Sequence, residues 1–120
     1  MAKVNLVDKK VQMELSDIIK YQIITYCYIN KIILNESDLE CLTLLGKIGK
    51  RDLSDFCVDA SYIYKNTQTI RNCMVKMEKH GLIEKNGTKR SKVIYLNPIM
   101  NIQMSGNIVL NYKIIHLETT

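Results

Sequence analysis

The sequence predicts a single α+β domain in which three consecutive helices run into a β-hairpin, with additional β-strands on the N- and C-terminal flanks. Three observations point there. At 120 residues the chain has room for one modest core. Between Asn35 and His80, apolar residues recur at helical spacing and are punctuated by capping residues and glycines. From Leu82 onward the pattern shifts to short β-prone runs separated by Asn-Gly, Asn-Pro and Ser-Gly-Asn.

Residues 1–34 read as an extension of the helical centre. Within it Ile18–Leu34 is crowded with Ile, Tyr and Thr, which favours strand on propensity. A continuous apolar run also suits a buried helix, and strand is the expectation carried forward. Asn35-Glu36-Ser37 offers caps for the first central helix, whose stripe of Leu39, Cys41, Leu42, Leu44 and Leu45 is expected to end at Gly46. Gly46 and Gly49 then bracket a short turn. Ser54 caps a second helix in which Phe56, Cys57 and Ala60 share a face, running on to Tyr62 or Tyr64. Asn66 or Thr67 caps a third, where Ile70, Cys73, Met74 and Met77 follow the i, i+3, i+4, i+7 rule and Gly81 supplies the stop.

The hairpin pairs Leu82–Lys85 with Lys92–Leu96 across an Asn86-Gly87 turn and is closed by Asn97-Pro98. A second hairpin is expected from Ile99–Met104 and Ile108–Ile115, around Ser105-Gly106-Asn107.

Composition narrows the function. With 47% hydrophobic and 24% charged residues the chain is that of a folded protein, not a disordered one. No uncharged apolar run approaches the ~20 residues that cross a bilayer, and the first ten residues lack the apolar stretch of a secretory signal. A cytoplasmic protein with no membrane partner is expected. Cys27, Cys41, Cys57 and Cys73 form no Cys-x-x-Cys pair, and neither His80 nor His116 stands at ligand spacing from them. They read as small core residues, reduced, and no metal or other cofactor is expected. Nothing in the chain frames a catalytic centre, so it is not read as an enzyme. No nucleophile stands beside either histidine, there is no Gly-rich phosphate loop, and Asp52, Asp55 and Asp59 fit a solvated helix start.

The charge is unevenly placed. Residues 1–64 hold eight basic and nine acidic side chains. Residues 65–95 hold eight basic ones (Lys65, Arg71, Lys76, Lys79, Lys85, Lys89, Arg90 and Lys92) against Glu78 and Glu84. The excess of this one stretch exceeds the +5 of the whole chain. A positive block on an otherwise balanced domain is the footprint expected for a polyanion partner.

The run Asn66–Lys85, NTQTIRNCMVKMEKHGLIEK, resembles the recognition helix of the winged helix-turn-helix superfamily. It has a polar start, an apolar stripe, then Gly81-Leu82-Ile83 leading into a wing. The likeness covers about residues 35–97 and lies at superfamily level. It implies a DNA-binding domain that lays its third helix in the major groove and its wing on the backbone.

The residues suit that role. At 100° per residue, Gln68, Asn72, Val75 and Lys79 fall opposite the apolar stripe, with Arg71 and Lys76 on the flanks. Asn and Gln pair bidentately with adenine, Arg with guanine, and Val75 suits a thymine methyl. Thr67 and Thr69, at the helix start, suit a phosphate. The wing Asn86–Lys92 brings Lys89, Arg90 and Lys92 to a neighbouring phosphate or the minor groove.

The expected function is therefore sequence-specific binding of double-stranded DNA, in transcriptional control, by a homodimer assembled through the flanking strands. The alternative is a virion or other assembly protein, of the kind a bacteriophage encodes, using the same scaffold for protein contacts. Surplus β edges on the flanks would invite such pairing.

Overall fold

The computed structural model describes residues 14–88 and 91–104. These residues form an α+β fold of four helices and a small antiparallel sheet. In chain order they are α1 (Leu15–Ile29), α2 (Glu36–Ile48), β1 (Arg51–Asp52), α3 (Leu53–Asp59), α4 (Thr67–Lys79), β2 (Ile83–Gly87) and β3 (Lys92–Leu96). Single 3-10 turns follow α3, at Ala60–Tyr62, and β3, at Pro98–Met100. The sheet order is β1-β3-β2.

The N-terminal flank corrects the strand expectation. Ile18–Leu34 contains most of a helix, because Ile19, Ile23 and Cys27 stand one turn apart and bury together in the core. The β preference of Ile, Tyr and Thr is overridden by that packing. Its polar side chains fold back on the helix: Thr25 Oγ1 donates to the Tyr21 carbonyl at 2.8 Å and Asn30 Nδ2 to that of Tyr26 at 2.8 Å. The segment is thus a structural member of the domain rather than a strand-rich extension.

Helix α2 starts as expected, with the Asn35 side chain accepting from the Asp38 N–H at 2.7 Å. It does not stop at Gly46. It runs through to Ile48, and Gly49, at φ 95°, is the C-cap. Gly46 serves another purpose: a Cβ there would lie 2.8 Å from Leu96 Cδ1 and 2.9 Å from Ile19 Cγ2. The missing side chain lets α1 and β3 approach α2 together.

Helix α3 is capped by Asp52 rather than Ser54. The Asp52 carboxylate accepts from the Ser54 N–H at 2.9 Å while its backbone stays extended (φ −60°, ψ 137°). That extension lets Arg51 and Asp52 pair with Ile94 and Val93, adding a strand too short to show a period in sequence. Helix α4 is capped by Asn66, which accepts from the Gln68 N–H at 2.8 Å. It closes at His80 and Gly81, whose φ of 74° needs no Cβ.

The hairpin is present with a different turn. Pairing extends from Ile83↔Leu96 through Asn86↔Val93 to Gly87↔Lys92, so Asn86 and Gly87 belong to β2. Beyond the last pair, the Thr88 N–H donates to the Ser91 carbonyl at 3.1 Å. The second hairpin is corrected in its first half. Ile99–Met104 is no strand: Pro98 and the Asn97 cap, which accepts from the Ile99 N–H at 3.1 Å, turn the chain into a 3-10 step. Its remainder, residues 105–120, lies outside the described residues.

One core joins these elements. Ile19, Ile23, Leu42, Leu45, Phe56, Ile70, Met74, Met77, Leu82 and Ile94 are each at most 1% exposed. The close approach at Gly46 gives a direct test. Gly46→Leu forces side-chain volume between Ile19 and Leu96 and is expected to cost ~1–3 kcal/mol, read as a lowered urea midpoint at unchanged slope.

Candidate nucleic-acid interface

Helix α4 divides between inside and outside. Ile70, Cys73, Met74 and Met77 are buried, and Gln68, Asn72, Val75 and Lys79 are exposed with Thr67 and Thr69 at the helix start. The two faces fall where the sequence spacing puts them. Gln68 Nε2 donates to Asn72 Oδ1 at 2.9 Å, an i, i+4 clasp that holds both amides in one orientation. Val75 is 43% exposed and lines an open depression with Asn72, Lys76, Lys79 and His80.

What holds α4 in place is a polar junction under its middle. Asp38, on α2, is 3% exposed. Its Oδ2 accepts from Lys76 Nζ at 2.8 Å, and its Oδ1 accepts from Tyr64 Oη at 3.3 Å and from Cys73 Sγ at 3.3 Å. Burial alone would raise the Asp38 pKa. The Lys76 and Cys73 hydrogen bonds, the Lys76 charge and the Asn35 contact outweigh it, and the carboxyl titrates below the ordinary aspartate range. The reciprocal hydrogen bond raises Lys76. The Cys73 thiol is pushed far up by its hydrogen bond to Cys41, by burial and by Asp38, and so stays protonated as a donor.

Lys76 is thus turned toward α2 and its charge is already matched, which the sequence reading, placing it on the flank of a duplex face, did not show. Lys85 is likewise drawn to Glu78 at 3.5 Å.

The remaining cations fall around the exposed face. Arg71 is half-buried and donates to Ser54 Oγ at 3.4 Å, on the first turn of α3. Asp52, which caps that turn, also accepts from Ser91 Oγ at 3.2 Å. A short polar chain therefore ties α4, the start of α3 and the hairpin tip to one another. Lys92 is exposed where β3 begins. Lys89 and Arg90 lie outside the described residues.

Three contributors escaped the sequence reading. His80 borders the depression beside Lys79. Lys50 stands 5.1 Å from the Tyr95 ring centroid, a cation–π contact next to the sheet. Asp38 had a visible signal: it shares the i, i+3, i+4, i+7 stripe of Cys41, Leu42 and Leu45, and an acid on a core stripe needs a partner.

No described helix is long and apolar enough to cross a membrane. No group of His, Cys, Asp or Glu among the described residues is arranged to hold a metal ion. No family model, curated protein or solved structure matches the chain.

The junction makes a pH-linked expectation. Because Asp38 is depressed in the folded state, its contribution is complete above the unfolded aspartate value of ~3.9 and is lost as pH falls through the lower folded value. Asp38→Asn should therefore flatten the loss of stability on acidification. Asp38→Ala, which leaves Cys73 and Tyr64 without their acceptor, should cost ~1–3 kcal/mol at neutral pH. Both are checked by urea unfolding across pH values from about 2 to 7.

Proposed function

We propose that this chain is a sequence-specific double-stranded DNA-binding protein of winged helix-turn-helix type, serving transcriptional control. Helix α4 enters the major groove and the β2–β3 hairpin rests on the backbone. The observation that carries this reading is the division of α4: four core side chains on one side, and Gln68, Asn72, Val75 and Lys79 exposed together on the other. Such a face offers amides for adenine, an apolar contact for a thymine methyl and a cation for phosphate.

Thr67 and Thr69 bring hydroxyls to the helix start, where the helix dipole favours a phosphate. Arg71 reaches the groove edge from its place against Ser54. Lys92 at the start of β3, with Lys89 and Arg90 just before it in sequence, supplies the backbone contacts. Lys76 is left as the residue that anchors the helix rather than one that reads the duplex.

A second reading has one observation in its favour. Helix α1 exposes Tyr21, Ile24 and Tyr28, which suits an assembly protein, including a bacteriophage virion component, that uses this scaffold for protein contacts. It differs in outcome: such a protein has little duplex affinity at physiological salt.

Fluorescence anisotropy on duplexes selected from a random pool separates the two. The DNA reading expects log affinity to fall with log salt by ~0.9 per phosphate neutralised. Lys89→Ala with Arg90→Ala should weaken all duplexes alike and flatten that slope by ~2, since each removed cation leaves one phosphate with its counterions. Asn72→Ala should instead remove ~1–3 kcal/mol of discrimination at one base pair. Binding indifferent to all three substitutions would reject the docking.

A further inference from the structure

The outer face of α1 takes no part in the proposed duplex surface. Asp17, Tyr21, Ile24 and Tyr28 follow one another along the helix at spacings of four, three and four, and Lys31 follows in the turn that ends it, its backbone left-handed at φ 57°. Alternating steps of four and three keep a side-chain seam facing a partner helix. Tyr21 is 54% exposed, Ile24 40% and Tyr28 85%. From Tyr21 to Asn30 the chain carries no charge at all.

We propose that this seam is the self-association surface of the protein, occupied by α1 of a second copy in antiparallel orientation. The charges argue for a second copy above any other occupant. Asp17 lies seven residues before Ile24 on the first turn of α1 and Lys31 seven after it in the turn that ends the helix, so opposite charges flank the two ends of the seam. Neither makes an ion pair among the described residues. With Ile24 on a two-fold axis, each Asp17 meets Lys31 of the second copy, and each Tyr21 stacks near Tyr28 of the second copy. An isologous contact requires such self-complementarity.

The area is of the right order. At their exposures Tyr21, Tyr28 and Ile24 together offer ~300–400 Å², about half of the ~600 Å² that each partner gives to a small stable interface, and the flanking stems supply the rest. The opposite edge of α1 is engaged within the chain. There Gln22 Nε2 donates to the Gln103 carbonyl at 2.7 Å, and the Gln103 N–H donates to Gln22 Oε1 at 2.7 Å.

This association replaces the strand pairing expected from sequence, and it stands apart from the duplex reading, since none of its residues belongs to α4 or the hairpin.

Sedimentation velocity of the full chain over a concentration series tests it. The wild type should dimerise. Tyr28→Glu should yield a monomer with unchanged helical circular dichroism, Tyr28 being exposed in the single copy. Asp17→Lys should weaken the dimer at least tenfold, and adding Lys31→Asp should restore it. Ile24→Cys should cross-link to its own counterpart on mild oxidation. A monomeric wild type, with the seam covered by the protein's own chain or by another protein, would overturn the proposal. So would a dimer that ignores the charge exchange.

Discussion

The orientation of α4 depends on one buried carboxylate. A helix packed only through Ile70, Cys73, Met74 and Met77 can rotate or slide at modest cost, since flexible thioethers tolerate repacking. Asp38 removes that freedom. It takes donors from Lys76 and Cys73, one turn apart on α4, and from Tyr64 in the segment leading into it. Each bond is modest, but an unmade bond at a buried carboxylate is costly. The register of α4 on α2, and hence which side chains face outward, is set there.

A second polar chain extends this control to the hairpin. Asp52 caps α3 and receives Ser91, and Ser54 on the same turn receives Arg71. The two strands of the hairpin are therefore placed relative to α4 through the start of α3 as well as through the sheet. Lys85 and Lys76 are engaged in internal pairs with Glu78 and Asp38, so the net positive charge of residues 65–95 is not all on one surface. The outward charge is narrower than composition implies: Lys79 and Lys92 among the described residues of the face, with Arg71 at its edge and the half-exposed Lys76 already matched by Asp38.

The central helices were legible because their signals are local. Asn35 and Asn66 cap as their side-chain chemistry directs, and the stripe of α4 maps residue by residue onto the buried face. Failures arose where distant parts of the chain decide. Ile18–Leu34 is β-prone in isolation and helical because Ile19, Ile23 and Cys27 have a core to enter. Gly46 looks like a stop and is instead a spacer, which only the positions of Ile19 and Leu96 reveal. Asn86-Gly87 carries a turn signal, yet the ladder continues through it to Lys92. At the candidate interface, residue type gave the outer face of α4 correctly, while the partner of Lys76 lay 38 residues away and could not be read from spacing.

The most direct test of duplex docking through α4 is a backbone amide NMR titration with short duplex DNA at low salt. The largest shifts are expected at Thr67–Lys79 and around Lys92, with α1 unmoved. Shifts centred on α1, or none at saturating duplex, would contradict it.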